Sequence, residues 1–268
     1  MMEGAGEELA RSGGVGAVYL VFSRSRRPDR PALIEAAEAI SGLSVSHDPF
    51  GRDYNPDHAR GRARSKSEET WLELLQWGMT FDCLGLAPGP AVSLPAIEHR
   101  LNIPVDQDLG SFEALALSPG PHLADAANSL PVVRALLDMA ASLAGLLDGV
   151  EAVCWGPART AMPPRFFRSA VASWIEGGPF PALCLAGFQI DPSGRLCTNG
   201  MDWFLGREIV LSTELSQDRS AATRIALRLI HEIVAMGRLD HRIEMSTEEG
   251  LSLSVEPVGA NLIEVNPM

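Results

Sequence analysis

The stretch 150–178, VEAVCWGPARTAMPPRFFRSAVASWIEGG, holds the residue type best suited to nucleophilic chemistry. Cys154 and Trp155 end an apolar run, and Gly156, Pro157 and Arg159 follow in a turn. A cysteine is a nucleophile when its thiol ionises near neutral pH and a base stands within hydrogen-bond reach. The glycine-proline turn would expose Cys154 at a strand's end, with His122 or His99 as the base. The same letters carry the opposite reading. Val153, Cys154 and Trp155 continue an apolar strand, which makes the thiol a small buried apolar group. Cysteines also stand at 83, 184 and 197, and no two are spaced C-x-x-C. A zinc ribbon and a thioredoxin motif are therefore excluded.

A second segment, TNGMDWFLGREI at 198–209, can carry contact chemistry. Gly200 and Gly206 bracket Asp202, Trp203 and Phe204. One reading is a turn whose aromatics plug the core. The other is a rigid binding loop that converges with the 155–164 loop. Each loop follows a buried strand, and their glycines and prolines limit the entropy lost on binding. Together they would present Trp155, Arg159, Asp202, Trp203 and Arg207 to a protein partner. Tryptophan and arginine are the residues that most often dominate interface energy.

Metal and cofactor chemistry find no pattern. His231–Glu232 lacks the second histidine of a zincin helix, and Gly237 separates His231 from Asp240 and His241. His231 is expected to face solvent. The GGVG stretch precedes the first strand instead of following it, so it is no dinucleotide turn. Neither a phosphate-binding G-x-x-x-x-G-K-[ST] loop nor a G-x-S-x-G elbow occurs. No metal and no cofactor are expected.

The elements that would position these residues follow from periodicity. VGAVYLVFS (15–23) reads as a buried strand, and PDRPALIEAAEAISG as a helix capped by Asp29 and closed by Gly42. LSVSH (43–47) alternates like a strand. TWLELLQWGMTFDCLGLAPG (70–89) reads as a hairpin about Gly78–Met79. LPAIEHRLN is expected to be a short helix and SFEALALSPG a strand. The three-and-four spacing from Val133 to Leu147 predicts a helix over 130–147 that starts near Ser129, because Pro131 fits only a first turn. VEAVCW, ALCLAGFQI, GRLCT and REIVLST read as strands, with a helix at PPRFFRSAVASWIEGG. A helix over 217–236 and a terminal hairpin, GLSLSVEPV with NLIEVN, complete the chain. Several strands follow one another directly, which favours an α+β fold with mixed or antiparallel sheet and helices packed on it. Two fused ferredoxin-like halves are one arrangement that fits. Residues 15–268 read as one domain after a frayed start at 1–14, with residue 110 the natural place for any subdivision.

With 268 residues, 46% hydrophobic and 21% charged, the chain is long enough for a sizeable core. Its net charge of −12 repels phosphate backbones and argues against nucleic acid. The basic stretch 52–66 reads either as a contact for an acidic partner or as a solvated loop. The acidic start (Glu3, Glu7, Glu8) is unlike a signal peptide, and no apolar run is long enough to span a bilayer. The expectation is a cytoplasmic protein with no membrane contact.

VEAVCWGPARTAMPPRFF resembles the strand, tryptophan-glycine turn and Phe-Phe helix start of a bacterial family, the domain of unknown function 4261 family. TNGMDWFLGREIVL is similar to its threonine–x–glycine and glycine–x–glutamate segment, at Thr198, Gly200, Gly206 and Glu208. Met201 stands where a leucine is usual. AVYLVFSRSRRPD and GLAPGP fit the family's order. The resemblance covers most of the chain. It implies a stand-alone bacterial cytoplasmic protein with no established activity, associated with toxin-neutralising proteins. The sequence thus supports a non-catalytic binding module, with a Cys154–histidine enzyme as the alternative.

Overall fold

The computed structural model describes residues 16–49, 71–104, 107–247 and 250–268. The start expected to fray, 1–14, and the basic stretch 52–66 lie outside them.

The first apolar run forms β1 (Val18–Phe22), buried along its whole length. Val18, Leu20 and Phe22 face the main core, while Tyr19 and Val21 face a smaller one with Val92, Ile103 and Leu109. A strand alternates its side chains between faces, so an unbroken apolar run means that both faces are covered. Around β1 stand β2 (Leu43–His47), β3 (Trp71–Gln76), β4 (Met79–Leu84), β5 (His99–Arg100), β6 (Glu113–Pro119), β7 (Val150–Trp155) and β8 (Thr160–Met162). They form an eight-stranded sheet in the order β2-β3-β4-β6-β1-β7-β8-β5. Its pairings are antiparallel except β5 with β8.

α1 (Arg30–Glu38) starts where Asp29 accepts the Ala32 amide at 3.0 Å, with Pro31 in the first turn. α2 (Leu130–Leu146) begins after Ser129, as Pro131 requires, and lies on β1 and β6. α3 (Pro164–Ile175) packs on α2 and β7. Leu136 and Leu137 of α2 are fully buried. Each such side chain contributes about 1.5–3 kcal/mol relative to exposure.

Next come the short helices α4 (Ala182–Leu185) and α5 (Asp202–Leu205), interleaved with β9 (Gly187–Ile190), β10 (Leu196–Asn199) and β11 (Glu208–Leu211). α6 (Arg219–Met236) is capped by Asp218, ends at Gly237, and packs on β10 and β11. β12 (Ile243–Ser246), β13 (Ser252–Val258) and β14 (Leu262–Pro267) complete a six-stranded sheet, order β12-β13-β14-β11-β10-β9. Here only β11 and β14 run parallel. One apolar cluster joins both sheets, with Trp155, Met162 and Phe167 beside Leu196, Ile209 and Ile230.

The fold is α+β with two mixed sheets, as expected. Strands from both sides of residue 110 interleave in the first sheet. The two sheets differ in strand number and order, and do not repeat each other as fused ferredoxin-like halves would. Two elements depart from expectation. LPAIEHRLN is not a helix. The Glu98 and His99 amides donate to the Arg159 carbonyl, and the Leu101 amide to that of Ala161, so β8 captures this segment as an edge strand. ALCLAGFQI splits into α4, after Pro181, and β9. Periodicity cannot separate strand from buried helix in so short an apolar run. Among the described residues no helix is long and apolar enough to cross a membrane.

Candidate functional site

Between β10 and β11 the chain reverses through α5, and one carboxylate organises the reversal. Glu208 Oε2 accepts the Thr198 hydroxyl at 2.6 Å and the Met201 amide at 3.2 Å. Its Oε1 accepts the amides of Gly200 at 2.7 Å and Asp202 at 3.3 Å. The Thr198 oxygen accepts the Ile209 amide at 2.8 Å. Gly200 has φ +93°, and a Cβ there would lie 2.6 Å from that of Ala158. Glycine is needed twice over, for the left-handed backbone and for the close approach. Thr198, Gly200 and Glu208 form one hydrogen-bonded unit. Burial pushes the Glu208 carboxyl above its ordinary value, against the pull of the hydroxyl and amide donors; the charge of Asp202 also pushes it up.

The second loop is the tight turn after β7. The Gly156 amide donates to the Ala17 carbonyl, and the Arg159 amide closes the turn on the Gly156 carbonyl, both at 3.0 Å. Arg159 has φ +50°, a conformation that costs a residue with a Cβ about 1 kcal/mol or more. It is held because its carbonyl accepts from Glu98 and His99. Its guanidinium pairs with Glu98 Oε1. Asn199 Nδ2 donates to Glu98 Oε2 at 3.0 Å and lies 3.4 Å from His99 Nε2. Glu98 therefore ties the turn after β7 to the end of β10, and Ala158 seats on Gly200. His99 packs against Gly187, where any side chain would strike its ring. Burial lowers the His99 pKa below its ordinary value, with Glu98 raising it and Arg219 lowering it further. Glu98 and Asn199 were not singled out in the sequence, and His99 was singled out only as a base for Cys154. The segment 94–102 reads there as a helix, and nothing in its letters announces its pairing with β8.

The predicted contact residues divide. Arg159 and Asp202 are exposed. Trp203 is half-buried, its ring covering Gly16. Arg207 is half-buried and donates to the Leu239 carbonyl at 2.8 Å. Trp155 has no exposed surface and stacks on Phe204 at 6.0 Å between ring centroids. Trp155 is thus a core residue and not a contact: the pleat that turns Cys154 into the smaller core turns Trp155 into the main one.

Cys154 is fully buried, and burial pushes its thiol up to about 12. Its cross-strand neighbours are Tyr19 and Ala161. His99 lies opposite Thr160, which lies opposite Trp155, so His99 is on the other face of the sheet. His122 has Nδ1 3.3 Å from the Thr80 hydroxyl. Thr80 lies four residues along β4 from Leu84, and Leu84 lies three strands across the sheet from Cys154. That is roughly 13 Å along and 14 Å across. Neither histidine reaches the thiol. His231 is half-buried, with Nε2 2.9 Å from the Phe180 carbonyl, which corrects the expectation of a solvent-facing ring. Among the described residues no group of three metal-ligating side chains is assembled. No protein-family model, curated protein or solved structure matches the chain.

Proposed function

We propose that the chain is a non-catalytic module that binds a protein partner through the paired loops around Arg159 and Asp202. The observation that carries this reading is that the two loops are joined before any partner arrives. Glu98 bonds to Arg159 and Asn199, and Glu208 gathers the hydroxyl and amides of the second loop. A surface ordered in advance loses little entropy on binding. The strained backbone of Arg159 is of the kind that persists where surrounding structure fixes it for use. The competing enzyme reading has little support, since a thiol near 12 supplies almost no thiolate and the histidines stand elsewhere. The family resemblance favours a bacterial cytoplasmic setting and a role like that of toxin-neutralising proteins.

The test is co-purification of the full chain from the organism that makes it, identification of the partner by mass spectrometry, and titration of that partner. Arg159→Ala with Asp202→Ala should abolish binding while costing the fold about 1 kcal/mol or less, as for exposed pairs. Unchanged affinity in the double variant would sink the proposal. Arg207 is unsuitable as a probe, because its bond to Leu239 anchors the chain after α6.

A further inference from the structure

A groove of about 590 Å³ lies between α6 and the β12–β13 edge of the second sheet. We propose that it binds a long-chain carboxylate or a similar single-chain anionic amphiphile. Leu253 and Met245, paired across β13 and β12, line the sheet side. Ala221, Ile225 and Leu229 line the helix side, and Leu251 stands at the groove 39% exposed. A second hollow of about 210 Å³, among Phe166, Ala170 and Leu183, shares Leu227 and His231 with the first.

The polar groups specify the head of the ligand. Arg224 and Arg228, one helical turn apart, line the groove. Arg228 is paired with Glu232 at 2.9 Å. Arg224 bonds to the Ser220 hydroxyl at 3.1 Å and, among the described residues, has no carboxylate partner. In a chain of net charge −12, an arginine with no acidic partner among the described residues, beside an apolar groove, complements an anionic head on an apolar tail. The volume falls in the range of about 300–1,000 Å³ that single-ligand sites occupy. This inference does not rest on the loop reading, since Arg224 belongs to neither loop.

The experiment is calorimetric titration of the whole protein with dodecanoate below its micellar concentration. We expect saturable binding of one equivalent. Ala221→Phe, which fills the groove from the helix, should abolish it, and Leu251→Asp, at an exposed position, gives a second block if the first variant folds poorly. Arg224→Ala should weaken dodecanoate about fivefold, as for loss of an exposed ion pair, and leave dodecanol binding unchanged. Absence of saturable binding would overturn the proposal, and so would equal binding in Ala221→Phe and Leu251→Asp. A dimer broken by Ala221→Phe in a protein that ignores dodecanoate would overturn it in favour of a second copy of the chain.

Discussion

Cys154, fully buried, and Glu208, half-buried, are both ionisable groups carried on strands, and they have opposite surroundings. Cys154 lies in a small core with Tyr19 and Ala161 as its cross-strand neighbours, where burial pushes its thiol up. Glu208 is met by a hydroxyl and by the amides of Gly200, Met201 and Asp202. Burial alone silences an ionisable group. Burial combined with directed donors makes it a structural centre. The difference sets a buried thiol against a carboxylate that organises the loop between β10 and β11.

Removal of the two side chains separates them most widely. Glu208→Ala leaves the amides of Gly200, Met201 and Asp202 without their acceptor and should cost about 3 kcal/mol in urea denaturation. Cys154→Ala removes one heavy atom from a closed apolar site and should cost about 1 kcal/mol. Equal losses would mean that the donors around Glu208 are replaced by water at little cost, and the contrast would fail.

Reactivity gives a smaller but cleaner separation. Cys197 is half-buried, and burial followed by the nearby Asp191 raises its thiol. Even so, native protein should be labelled at Cys197 first. Cys83, Cys154 and Cys184 are buried and should react more slowly by on the order of a hundredfold or more, because each must wait for opening. Mass spectrometry of briefly alkylated protein would show this. Early modification of Cys154 would restore the enzyme reading.

Local signals made much of the fold legible. Asp29 and Pro31 start α1, Ser129 and Pro131 start α2, and Gly237 ends α6, each through chemistry confined to a few neighbouring residues. The hairpins β3–β4 and β13–β14 are equally local. What escaped was non-local. β5 exists only because β8, some sixty residues later, captures it, and Glu98 enters the site by that pairing. The burial of Trp155 follows from the pleat of β7, which places its ring against Phe204. The segment 198–209 was visible through its glycines, but Glu208 as their organiser was not. Glu208 stood out in the letters only as part of a resemblance, and nothing local shows that its carboxylate turns back onto the amides of the loop.

The least effect, and the sharpest question about Glu208, concerns pH. Burial raises its carboxyl above the ordinary 4.5 in the folded chain, and unfolding returns it to that value. Between the two, the folded protein holds a proton that the unfolded chain has released. The resulting stabilisation is complete below about 4.5 and is lost as the pH rises through the folded value. Glu208→Gln cannot titrate, so the stability of the native protein relative to this variant should fall as the pH is raised from mildly acidic to neutral. Asp191 and Glu113 are held below their ordinary values by hydrogen-bond donors and drive stability the other way, but they do so in both proteins and cancel in the difference. Urea denaturation of the pair across that range measures the sign directly. A difference that grows with pH would mean that the four donors outweigh burial, and that Glu208 is a stabilised anion and not a strained one.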